Sequence, residues 1–203
     1  MVKREIRGDL PREKLAAFGF DPRRPLGYTA CSRGRLMSGR VAMIRVGIGH
    51  DTHRLVEGRP LILGGVRIDH PRGLMGHSDA DVVLHAVADA LLGAAALGDI
   101  GELFPDTDPQ WRGLDGGVLL TEVMARVTQA GWKVGNCDVV IHAQEPKLTP
   151  HKPAIRAGLA QWLGVPLTSV NVKAKTGEHV GPIGRGEAIS AEVIVLLQAA
   201  GDL

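Results

Sequence analysis

From Ile44 the chain alternates β-branched with basic or small residues, Ile44-Arg45-Val46-Gly47-Ile48-Gly49, the period-two pattern of a strand. Leu61 to Ile68 is a second apolar run, and Gly64-Gly65 at its middle predicts a bent strand or a hairpin. Over Ser78 to Leu97 the period changes: Val82, Val83, Ala86, Val87, Ala90, Leu91 and Ala94 form the stripe of a helix. Ser78 is its expected N-cap, with Asp79 and Asp81 in a first turn whose dipole favours negative charge. The many alanines leave room for another backbone to approach. Two further helices are expected over Gly116–Ala130 and Thr149–Leu163, the second opened by Thr149-Pro150 and ended near Gly164. Strands at Lys133–His142, Val170–Lys175 and Ile189–Leu197 interleave with them. This order implies an α/β fold of the α+β type, a single mixed β-sheet with helices packed on one face.

Composition narrows what such a domain can do. The chain has 203 residues, 44% of them hydrophobic but only 3% aromatic, so the core is built from Ala, Val, Ile and Leu, and a base-stacking platform for nucleic acid is not expected. Residues 1–42 carry 10 Lys and Arg against 4 acids, which leaves 14 against 18 beyond. This first stretch, with Pro11, Pro22 and Pro25 and no sustained period, reads as a poorly ordered basic extension, with Met43 as an alternative start. Residues 43–203 are then the expected folded domain, where any catalytic site would lie. Cys31 and Cys137 are too few for a disulfide framework and point to a reducing, cytoplasmic setting. No apolar run approaches the roughly 20 residues needed to span a bilayer.

Four constellations could carry chemistry. Asp51-Thr52-His53 places a carboxylate and an imidazole at i and i+2, on one side of a strand, a pair suited to zinc. His77-Ser78-Asp79-Ala80-Asp81-Val82-Val83-Leu84-His85 leads into the long helix, where Asp81, His85 and Asp89 share a face. Its structural reading is a satisfied histidine at a polar margin; its functional one is a metal ligand, His85, oriented by Asp89 or Asp81. Asp51, His53 and His85 together make three protein ligands, the number that leaves zinc one open position. The segment from Gly98 through Asp99, Ile100, Gly101, Phe104, Pro105, Asp106, Thr107 and Asp108 to Pro109 reads as a solvated loop or as a polyol cradle, and its spacing excludes an EF-hand. Lys173 to Glu178, with Lys175, Thr176 and Gly177, followed by Gly181 to Glu187, offers basic groups, a hydroxyl and exposed amides to phosphate, with Glu178 available for a divalent ion. No Walker spacing is present, which excludes a generic P-loop NTPase.

In order and spacing these segments, with Ala143-Gln144-Glu145-Pro146-Lys147, resemble the 2-C-methyl-D-erythritol 2,4-cyclodiphosphate synthase family of the non-mevalonate isoprenoid pathway, over about Ile44 to Leu197. The resemblance implies a homotrimer with active sites between subunits and one zinc per subunit on Asp51, His53 and His85. It implies a magnesium or manganese ion on Glu178 that bridges substrate phosphates, and the conversion of 4-diphosphocytidyl-2-C-methyl-D-erythritol 2-phosphate to the cyclic diphosphate with release of CMP. His77 and Thr176 match transition-state-stabilising positions, with Ser78 beside the attacking phosphate. Thr52 and Lys175 join the substrate-binding set. Asp99, Ile100, Gly101 and Phe104 to Asp108 match the methylerythritol pocket, and Ala143 to Thr149, through Leu148, a loop that a neighbouring subunit lends to cytosine. Arg185 matches a position at the trimer axis, where a cavity accepts an isoprenoid diphosphate. Gly177 stands where the family has a hydroxyl residue, and Pro182 where it has Phe. The competing readings are a zinc phosphohydrolase and a catalytically silent isoprenoid-diphosphate-binding trimer; neither a membrane nor a nucleic acid is an expected partner. A fused nucleotidyltransferase is not expected, because 42 residues cannot form one.

Overall fold

The structure is a computed structural model that describes residues 43–76, 79–105 and 115–201. The expected extension over residues 1–42 lies outside these, as do His77, Ser78 and Asp106 to Asp108. Strands β1 (Ile44–Glu57), β2 (Leu61–Leu63), β3 (Val66–Ile68) and β4 (Arg72–Leu74) precede helices α1 (Val82–Ala95), α2 (Ile100–Leu103) and α3 (Gly116–Gln129). Then come β5 (Trp132–His142), α4 (Lys152–Leu163), β6 (Val170–Lys175), the short α5 (Gly181–Gly184) and β7 (Ala188–Ala199). The main sheet is mixed, in the order β4-β1-β7-β5-β6, with only β5 and β6 parallel. A separate two-stranded sheet, β2 with β3, corrects the expectation of a single sheet. The run from Leu61 to Ile68 is therefore a hairpin. Gly64 and Gly65 turn it with φ of 58° and 73°, the left-handed pair that a two-residue turn matching strand twist requires.

The helices cover one face of the main sheet. Along β1, Gly47, Gly49, Asp51, His53 and Leu55 point inward, and Ile44, Val46, Ile48, His50, Thr52 and Arg54 point out. The approach of α1 to β1 is closer than side chains would allow. A Cβ on Gly49 would lie 1.9 Å from the Ala86 carbonyl oxygen, and one on Gly47 would lie 2.0 Å from that of Ala90. Ala86, Ala90 and Ala94 follow one another at i, i+4 and i+8, so a ridge of methyls rests on a glycine groove. Every residue of α1 but Asp89 and Gly93 is buried, against β1 and β7 on one side and α3 on the other.

Two starts differ from expectation. The long helix begins at Val82 rather than Ser78, because the carboxylate of Asp81 accepts from the N–H groups of Val83 and Leu84 and is itself the N-cap. Asp79 and Asp81 thus precede the first turn instead of occupying it. The helix expected from Thr149 starts at Lys152, after a turn, with Pro153 near its first position and Gly164 closing it in the left-handed conformation. Buried in β5, Cys137 is 1% exposed, and burial, reinforced by the neighbouring Asp138 charge, pushes its thiol up to about 12. Native protein treated with iodoacetamide at pH 8 should leave Cys137 unlabelled and label it once denatured; peptide mass spectrometry reads the difference.

Candidate active site

Three side chains from two elements converge on one point. Asp51 and His53 lie two residues apart on the inward side of β1, and His85 reaches them from the end of the first turn of α1. The Asp51 Oδ2 atom is 3.0 Å from His53 Nε2 and 3.0 Å from His85 Nδ1, and the two nitrogens are 3.3 Å apart. Around a zinc with bonds of about 2.0 to 2.2 Å, tetrahedral ligand atoms stand roughly 3.3 to 3.5 Å from one another. The three atoms need to spread only slightly to hold such an ion, and they form the candidate metal group among the described residues. Burial alone would raise the Asp51 carboxyl, but the hydrogen bonds and charges of His53 and His85 outweigh it and hold the group well below the usual carboxylate range. For His53 burial works downward, and Asp51 overrides it, raising the imidazole above its ordinary value. An anionic oxygen flanked by two imidazoles is the donor set of a divalent cation.

The other acids on this helix face have separate tasks. Asp81, fully buried and, with Asp89, one of the two acids considered for orienting His85, accepts from four backbone N–H groups: those of Gly64 and Gly65 at 2.8 and 2.6 Å, and those of Val83 and Leu84. It fastens the β2–β3 turn to the start of α1. Burial pushes this carboxyl up to about 6, against the pull of those donors. Asp79 ties in α3 by accepting from the Gly116 N–H at 2.9 Å. Asp89 accepts from the Ile100 N–H at 2.9 Å, and Asp99 caps α2 through the Glu102 N–H. Asp99, Ile100 and Gly101 are thereby fixed to α1, next to buried Phe104 and partly buried Pro105. Thr52 points away from the metal group, and its hydroxyl meets His50 Nε2 at 3.1 Å on the outer face; only its N–H, bonded to Asp51 Oδ1, faces the site.

The remaining expected residues gather at the ends of β5 and β6. The Ala143 N–H donates to the Lys175 carbonyl, and the His179 N–H to Gln144 Oε1 at 3.4 Å, so the 143–149 loop lies against the 175–179 segment. Within that segment the Thr176 hydroxyl donates to Glu178 at 2.5 Å, and Glu178 and His179 both have positive φ, 47° and 62°. Two successive left-handed non-glycine residues are a strained turn of the kind functional loops retain. Gly177 has its own reason: a Cβ there would lie 2.4 Å from the Gly184 nitrogen, so the 181–184 turn leaves no room for a hydroxyl residue. Glu145 precedes a cis Pro146, Lys147 and Thr149 are exposed, and Leu148 is buried as the loop's anchor. Pro182 lies exposed in α5, and Arg185 is held by both carboxylate oxygens of Glu187, at 2.6 and 2.9 Å. Arg72, unexpected from sequence, reaches Glu145 from β4.

The two groups of residues are not adjacent within one chain. Asp51, Ala191, Ile141 and Ala174 form one row across β1, β7, β5 and β6. At about 4.8 Å per strand the metal group stands roughly 14 Å from the end of β6.

Residues 44–198 match the YgbB family. A 2-C-methyl-D-erythritol 2,4-cyclodiphosphate synthase of Bordetella avium (strain 197N) is 61% identical over 153 residues, 75% of this chain and 94% of that protein. A solved structure of 2C-methyl-D-erythritol-2,4-cyclodiphosphate synthase in its CDP-bound form superposes with a TM-score of 0.71 at 43% identity, covering 75% of this chain and 99% of the other. The bifunctional IspDF of Campylobacter jejuni superposes with a TM-score of 0.75 at 42% identity, over 78% of this chain and 43% of its own. A mixed sheet backed by helices, an Asp-His-His group between β1 and α1, and identity at this level over nearly all of a relative's length place the chain in the YgbB family.

Proposed function

We propose that the protein is a 2-C-methyl-D-erythritol 2,4-cyclodiphosphate synthase, a phosphorus–oxygen lyase of the non-mevalonate route to terpenoid precursors. The observation that carries this reading is the convergence of Asp51, His53 and His85 on one point, in a chain of this family. In the reaction an oxygen of the substrate's 2-phosphate bonds to the β-phosphorus, the bond from that phosphorus to the α,β-bridging oxygen breaks, and CMP leaves with the electron pair. The substrate brings its own nucleophile, so the protein's tasks are to align two anions and to balance the spreading charge.

Asp51, His53 and His85 would hold zinc, which when bound supplies Lewis-acid polarisation of a phosphate oxygen. Glu178 would hold the magnesium or manganese ion, and the Thr176 hydroxyl beside it faces the diphosphate, with Lys175 adding positive charge. His77 and Ser78 orient the attacking phosphate. Asp99, Ile100, Gly101 and the Phe104 to Asp108 segment bind the methylerythritol, and the Ala143 to Thr149 loop encloses the cytosine.

The separation across the sheet supports a homotrimer in which one subunit's metal group works with its neighbour's 143–149 and 175–187 segments. The outer sheet face supports it as well: Ile44, Val46, Ile48 and Ile194 are 57%, 63%, 72% and 51% exposed on the paired strands β1 and β7, an apolar patch that a second copy covers. Incubating the protein with the nucleotide substrate should give CMP and the cyclic diphosphate in equal amounts, followed by phosphorus NMR. A linear phosphorylated diol would instead identify a phosphohydrolase, and no CMP at all a silent binder.

A further inference from the structure

We propose that Arg72 is a positioning residue for the nucleotide loop, holding Ala143 to Thr149 in register with the β4 edge and with the turn that leads into β7. The inference rests on the reading that this loop receives the cytidine part of the substrate. Arg72 opens β4, the edge strand that pairs with the last residues of β1. Its guanidinium divides between two partners far away in sequence: Nη1 donates to the Gly186 carbonyl at 2.9 Å, and Nη2 pairs with the Glu145 carboxylate. One planar fork therefore ties three segments that share no strand pairing with one another.

Each partner bears on the site. Glu145 sits in the middle of the loop, immediately before the cis peptide to Pro146. Gly186 follows Arg185 in the turn between α5 and β7, and it leaves the space into which the ion pair settles: a Cβ there would lie 3.3 Å from Arg72 Nη2 and 3.5 Å from Glu145 Oε1. The imidazole of His70 steadies the backbone of Arg72 itself, with Nδ1 at 2.9 Å from its carbonyl oxygen and 3.3 Å from its nitrogen. The other supports of the loop, Ala143 to Lys175 and Gln144 to His179, act at its first two residues, and Leu148 anchors its far end in the core. Arg72 holds the middle. A lysine could satisfy one of its two partners but lacks the fork that reaches both.

The pair is partly exposed, at 28% and 50% for the two side chains, so its effect is modest and falls on binding rather than on chemistry. With the trimeric holoenzyme, Arg72→Ala and Glu145→Ala should each raise KM for the nucleotide substrate about three- to fivefold while kcat stays within about twofold, and the double variant should be no worse than the weaker single. Arg72→Lys should fall between wild type and Arg72→Ala. Metal content and melting temperature, measured alongside, should stay at wild-type values. Unchanged KM in both singles, additive effects in the double, or a fall confined to kcat overturns the proposal. Calorimetric titration with CDP separates the two levels. Wild type that binds no CDP removes the nucleotide role of the loop, and with it the role of Arg72. Wild type and Arg72→Ala that bind CDP equally remove the role of Arg72 alone.

Discussion

Replacing Gly49 by alanine should cost the domain at least about 3 kcal/mol and with it most of its metal affinity. The methyl would sit 1.9 Å from the Ala86 carbonyl oxygen and 2.7 Å from the Ala90 nitrogen, whereas a carbon and an oxygen in contact need about 3.3 Å. Neither obstacle is the end of a flexible side chain; both are helix backbone. Relief requires α1 to slide or lift by more than about 1 Å; overpacking typically costs about 1 to 3 kcal/mol and occasionally more, and a clash against rigid helix backbone on two atoms belongs at or above the top of that range. For a domain of this size that is a fall of roughly 6 to 12 °C in melting temperature. Since α1 carries His85 while β1 carries Asp51 and His53, the same displacement pulls the third ligand from the other two. A site must be held to within about 0.5 Å to work. Gly93→Ala supplies the contrast. It lies on the same helix, exposed, and its Cβ would find only the Ile48 carbonyl oxygen at 4.0 Å. There an added methyl should stabilise by up to about 1 kcal/mol through helix propensity. Thermal melts and metal analysis of the two variants test the argument; equal melting temperatures would show that the helix–strand approach is not tight.

That close approach was half legible in the sequence. The alternation Val46-Gly47-Ile48-Gly49 and the alanines at 86, 90 and 94 each implied a small-residue face, but which face met which is a tertiary fact. Asp51 and His53 were legible as a pair because strand period places i and i+2 together, and His85 because a histidine on an apolar helix face needs a reason. The end of β1 was misplaced. The sequence pattern ends the first strand near Asp51 to His53, yet the alternation continues to Glu57, with Asp51, His53 and Leu55 on its inner face and His50, Thr52 and Arg54 on its outer one. β4 has three residues after a proline, too few for any period to show. Asp81 was legible as a helix-start residue, but its reach to Gly64 and Gly65 spans 17 and 16 residues of chain and leaves no local trace. The link from Arg72 to Glu145 spans 73, and the same holds there.

Removing one member of the proposed metal group should separate chemistry from folding, which the glycine substitution cannot do. His85→Ala deletes the only one of the three ligand side chains that comes from α1, and its ring is already at the margin of the site, 8% exposed, so the core around it stays filled by its apolar neighbours. What is lost is one of three donors to the cation. The expected loss in metal affinity exceeds the roughly 10- to 100-fold that outer hydrogen-bond partners of a metal site carry. Product formation should fall on the order of 10³-fold, as when a single group aimed at developing charge is removed. Melting temperature in the presence of chelator should stay close to that of wild-type protein treated alike, because in neither case does the ion contribute to the fold. Metal analysis, a CMP-release assay and paired melts give the three readings. Retention of full CMP release by His85→Ala would show that the cation is held elsewhere. Loss of release with metal content unchanged would move His85 from ligand to substrate contact.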